Sequence, residues 1–161
     1  MKRIFPEPQD QFLPVPLLRR LGALFYDTLI SIALVMTTTA IYMFIQMSRM
    51  GYDEYQSVTE AGQTSNDPFL SALLLLALFL FFGYFWTKNG QTLGMQAWHL
   101  RVQNSDNSAI DWKQALIRFM TAFISCGCFG LGLLWPAIDK RNRSWQCITS
   151  KSEIIRLPKT Q

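Results

Sequence analysis

Histidine occurs once in these 161 residues, as His99, and cysteine three times, as Cys126, Cys128 and Cys147. A single histidine leaves no Ser-His-Asp arrangement and no HExxH helix, and no phosphate loop or nucleotide fingerprint is present. An enzyme is therefore not expected. The odd cysteine count, with two inside an apolar run, gives no disulfide framework. Cys126-x-Cys128 has no further Cys or His cluster to complete a soft-metal site, so these are read as small packing residues, with no metal and no cofactor expected. Charge is scarce too: Asp, Glu, Lys and Arg make up 16% of the chain, against about 25% in an ordinary soluble domain.

What is abundant is apolar sequence, and it is blocked. Thr28 to Ser48 carries no charge in 21 positions, Pro68 to Thr87 none in 20 and Phe119 to Ile138 none in 20. About 20 such residues cross roughly 30 Å of hydrocarbon as a helix. Three blocks in so short a chain leave too little polar sequence for a solvated shell, which points to an integral membrane protein. The N-terminal stretch MKRIFPEPQDQFLPVP has neither an apolar core segment nor a small-residue cleavage site. Its four prolines favour an extended tail over residues 1–16, so the first membrane helix is expected to stay in the protein.

The charges between the blocks orient them. Residues 1–20 hold Lys2, Arg3, Arg19 and Arg20 against Glu7 and Asp10. The first loop, 49–67, holds Arg49 against four acids, whereas 88–118 holds Lys88, Arg101, Lys113 and Arg118 against two. Positive charge stays inside, so the N-terminus and second loop are expected in the cytoplasm. The segment from Asp139 carries six cations and two acids and belongs there too. A single crossing by the third block would place it outside. Gly127, Gly130, Gly132 and Pro136 interrupt that block, and broken apolar segments form re-entrant elements where protein or water covers the freed backbone.

The expected architecture is thus an all-α membrane protein with spans at about 21–47 and 68–87 and a broken or re-entrant third segment at 115–138. Three simple spans are the alternative. A small cytoplasmic β-ribbon accompanies them: HLRVQNSDNSAIDW alternates around a turn as a short hairpin does, and SEIIRL reads as a strand that steadies it. Gly22 and the patch Thr37–Thr39 offer close helix approach or interhelical hydrogen bonds. Residues 17–157 form one membrane domain and 158–161 a tail.

One acid breaks the pattern. Asp27 follows Arg20 by seven positions at the head of the first span. Seven residues turn a helix by about 700°, so the two side chains share a face. Inside hydrocarbon such a carboxylate costs about 2.5 to 3.5 kcal/mol and turns to a partner or a water-filled cavity. Further on, Gly90 after Asn89 is placed to end the second helix in a left-handed conformation. Gly90 and Gly94 bound an interfacial turn, after which Trp98, His99 and Arg101 are expected at headgroup level. Arg101, Lys113, Arg118 and the basic tail are expected to attract anionic lipid headgroups rather than nucleic acid.

Arg20-x6-Asp27, NGQTLGMQAWHLRVQN and IDKRNRSWQCITSKSEII, in this order around three apolar blocks, resemble the RDD family, named for one arginine and two aspartates. The resemblance implies a bacterial multi-pass inner-membrane protein, with transport of an undefined ligand among the suggested roles. It puts Gln146 and Cys147 where His and Asp usually stand, Lys151 and Ser152 at Gly and Thr, and Met95 where a cation is common. If the second aspartate belongs at Cys147, this chain has lost it; if it is Asp139, the set Arg20, Asp27, Asp139 survives. The expected role is a non-enzymatic membrane module that associates with itself, lipids or partner proteins. The alternative is a subunit of an oligomeric transporter or cation/proton antiporter using Asp27.

Overall fold

The computed structural model describes residues 3–5, 15–60, 62, 67–128, 130–137, 139 and 143–157. Most of the Pro-rich tail, the cations Lys2, Lys140, Arg141 and Lys159, and residues 158–161 lie outside the described residues. The chain is mostly helical with a small antiparallel sheet. It runs α1 (Leu17–Met50), α2 (Tyr52–Glu60), α3 (Pro68–Lys88), α4 (Leu93–Ala97), β1 (Leu100–Gln103), α5 (Trp112–Gly127), α6 (Leu131–Leu134), a 3-10 turn (Trp135–Ala137), α7 (Trp145–Thr149) and β2 (Glu153–Arg156). Two helices, α1 and α3, are long and apolar enough to cross a membrane. At 34 residues, α1 is about 51 Å long, well beyond one hydrocarbon thickness.

Two compact units make up the chain, Leu29–Leu80 and Met1–Thr28 with Phe81–Gln161. In the first, the stretch read as a loop contains the nine-residue α2. Thr37 and Thr38 bond the carbonyls of Ala33 and Leu34 at 2.8 Å. Their hydroxyls thus bond within their own helix, as β-hydroxyl side chains commonly do. Asp67 starts α3, its Oδ1 accepting the Phe69 amide at 2.8 Å and its Oδ2 the Tyr42 hydroxyl.

The second unit holds the sheet. β1 and β2 pair antiparallel with Leu100 opposite Arg156 and Gln103 opposite Glu153. SEIIRL is therefore a strand, but its partner arrangement differs from the expected hairpin. The return arm after the turn does not ladder with β1; Ser108 bridges Ile4 instead, and the Ala109 amide donates to the Arg3 carbonyl at 2.8 Å. Part of the N-terminal tail is thus docked on the sheet region. This explains why all four β1 residues are buried where alternation called for two outward positions: Phe5 covers the outer face, with the Arg101 guanidinium 4.1 Å from its ring centre.

At the far end α5 stops at Gly127. Gly130, at φ 76°, returns its amide to the Ser125 carbonyl at 2.8 Å, and four helical residues follow in α6.

Candidate functional site

Asp27 lies on the part of α1 that belongs to the sheet-bearing unit, and it is 6% exposed. α3 ends at Lys88, and Gly90 just beyond it, with a φ of 66°, permits the sharp exit. Thr92 then caps α4 in an extended conformation, its hydroxyl oxygen accepting the Met95 amide at 3.2 Å. The same hydroxyl donates its proton to Asp27 Oδ2 at 2.5 Å, and the Gly94 amide donates to Oδ1 at 2.9 Å. Both carboxylate oxygens are thus bound by one tight turn, in charge-assisted hydrogen bonds. Gly94 is needed for the approach, because a Cβ there would run into the Ala23 carbonyl and come within 2.8 Å of the Asp27 carboxylate. Earlier on α1, the Trp98 ring packs against Gly22 so closely that a Cβ there would run into it.

Arg20, 8% exposed, and Asp27 line a common cavity with Met95, Ser144 and Gln146. Its volume is about 40 Å³, room for about two or three waters and for no larger organic substrate. Asp139 is not among its lining residues. That carboxylate accepts the Arg143 amide at 2.9 Å and the Arg143 Nε at 3.4 Å, closing the turn before α7. Of Arg20, Asp27 and Asp139, the first two therefore lie at the cavity and the third at a turn.

A second polar array was not foreseen. Gln114, Arg118, Thr121 and Ser125 recur on α5 at spacings of four, three and four, one helical face. That face meets α7 and the turn into β2. Gln114 donates to the Ser150 carbonyl at 2.9 Å, Arg118 to Ser152 Oγ at 2.7 Å, and Thr121 shares a 3.0 Å bond with Thr149. The spacing was legible in the sequence but was masked by the apolar residues between.

Arg118 is fully buried and Arg101 is 3% exposed. The expectation that these two face lipid headgroups is corrected: Phe5 covers one, and α7 with Trp86 covers the other. Lys113 remains exposed. His99 is exposed with Nδ1 3.2 Å from the Gln96 carbonyl. Gln146 lines the Asp27 cavity, and Cys147 is buried beside Arg118. Among the described residues no group of three or more His, Cys, Asp or Glu could hold a metal.

A family model, that of the RDD family, matches residues 14–149. The chain belongs to the RDD family. The match takes in Arg20, Asp27, the Gly90–Gly94 turn, α5 and Asp139. It ends at Thr149, before Lys151, Ser152 and β2, to which the resemblance had been extended. No curated protein and no solved structure matches this RDD-family chain.

Proposed function

We propose that this RDD-family protein is a non-enzymatic inner-membrane module that assembles with lipids, with itself or with partner membrane proteins, and that Arg20 and Asp27 hold its architecture. The observation that carries this reading is the inverted polarity of α5. Its outward side chains include Leu116, Ile117, Met120, Phe123 and Ile124, between 43% and 61% exposed, while Arg118 and Ser125 are 0% exposed. In water such an arrangement wastes apolar area and strands polar groups; in hydrocarbon it is the favourable one, since lipid solvates the apolar side chains and the arginine is kept out of the lipid.

Pairing supports the topology. β1 follows α3 and β2 follows α7, and their pairing in one sheet supports a path in which residues 104–152 start and end on one side of the membrane. The Ile4–Ser108 bridge supports the same side for the N-terminal segment. Two crossings, α1 and α3, with an α5–α6 element that enters and returns, satisfy all three constraints, and the positive-inside bias assigns that side to the cytoplasm. In this arrangement the surplus length of α1 brings Arg20 and Asp27 to the cytoplasmic edge, where the carboxylate is consumed by Thr92 and Gly94.

Reconstitution in liposomes containing a pH dye tests the role. No proton or cation flux is expected under any imposed gradient, and Asp27→Asn is expected to lower the yield of folded protein. Ion-driven flux abolished by Asp27→Asn at unchanged expression would replace this reading with the transporter or cation/proton antiporter subunit.

A further inference from the structure

Arg118 has no accessible surface, and among the described residues no carboxylate pairs with it. Its Nη1 donates to Ser152 Oγ at 2.7 Å, its guanidinium lies 5.3 Å from the Trp86 ring centre, and its Nε and Nη2 are buried without a hydrogen-bond partner. A buried guanidinium without a counter-charge is costly. One neighbour able to carry that charge is present. Cys147, 3% exposed, places Sγ 3.7 Å from Arg118 Nη1. The Ser144 hydroxyl donates to the same sulfur at 3.2 Å. Two donors from different elements converge on Sγ, an arrangement that suits a sulfur acting as a charged acceptor.

We propose that Cys147 is a thiolate in the folded protein, the buried counter-ion of Arg118, and that this pair fastens α7 and the turn into β2 to α5. Other charges nearby agree with the assignment. The Arg20 charge on α1 also favours an ionised sulfur, Arg143 before α7 is ion-paired with Asp139, and Asp27 turns its oxygens to Thr92 and Gly94. Burial opposes ionisation, but the Arg118 charge, the Ser144 and Arg118 hydrogen bonds and Arg20 outweigh it, so the thiol lies below its ordinary value of 9.0. A group whose folded value is depressed stabilises the fold above its unfolded value. That contribution is lost as pH falls through the folded value, so stability rises with pH towards the ordinary thiol range.

The test uses full-length protein in detergent with Cys126→Ser and Cys128→Ser, leaving Cys147 as the sole sulfhydryl. Far-ultraviolet thiolate absorbance is expected to persist below the ordinary thiol range and to vanish on unfolding at the same pH. Arg118→Met is expected to move its midpoint upward by about 1 to 3 pH units. Should that variant not fold, the charge series at position 147 decides: Cys147→Asp retains the melting temperature of the parent at neutral pH, and Cys147→Ser lowers it. A folded-state midpoint at or above the unfolded one, or Cys147→Ser melting with the parent across the pH range, overturns the proposal.

Discussion

The Gly94 amide donates to Asp27 Oδ1 at 2.9 Å across 67 positions of sequence, and the absence of a Cβ at Gly94 is what lets the two meet. The contact ties the first membrane helix to the turn that follows the second, so the two elements are set by one carboxylate. Gly94→Ala is expected to destabilise the protein by about 1 to 3 kcal/mol, the range for forcing an extra methyl into a packed contact. Asp27→Ala leaves the Gly94 amide and the Thr92 hydroxyl to find other partners, at about 1 to 3 kcal/mol for each buried group left unsatisfied. The double variant should cost less than the sum of the two, since both act on one contact. Thermal unfolding in detergent, followed by tryptophan fluorescence, measures all three. Additive losses would place the two residues in separate roles.

Lys151 offers a gain in stability. It is exposed and adopts φ 50°, the left-handed region that disfavours a residue bearing Cβ. Its amide reaches the Ile148 carbonyl at 3.4 Å as α7 turns into β2. Lys151→Gly removes that penalty and is expected to stabilise the fold by roughly 1 kcal/mol, whereas Lys151→Ala, which keeps Cβ, gains nothing. The same melting assay separates the two variants.

Much of this was legible in the residues because the controlling signals are local. The charge-free runs mark α1 and α3, and Asn89–Gly90 marks the end of α3. Asp27 stood out because an acid at the head of an apolar run needs a reason. Gln91 to Gly94 lay close enough to the end of the second span to supply its partners. The polar face of α5 was not seen for the opposite cause. Whether Arg118 is a solvated cation or a buried one depends on Cys147 and Ser152, 29 and 34 positions later. No local pattern records that. The docking of Arg3–Phe5 on the turn after β1 escaped for the same reason, since Phe5 lies in a proline-rich stretch whose composition reads as extended tail.

The side of the membrane on which the chain ends is a prediction of the proposed topology and can be measured directly. A topology reporter fused after Gln161 and another inserted in the acidic segment between α1 and α3 are expected to report opposite sides, the first cytoplasmic and the second external. Four antiparallel residue pairs, Leu100 to Arg156 through Gln103 to Glu153, cannot form across a bilayer. Any path for residues 104–152 must therefore begin and end together. Lipid exposure of the intervening element is read separately from Cys126, which is exposed near the end of α5. In membranes, a maleimide that cannot cross lipid is expected to leave Cys126 unlabelled from either face, while the same reagent labels it in unfolded protein. Both reporters on one side would overturn the sheet-based topology, and rapid labelling of Cys126 in intact membranes would move α5 out of the bilayer and onto its surface.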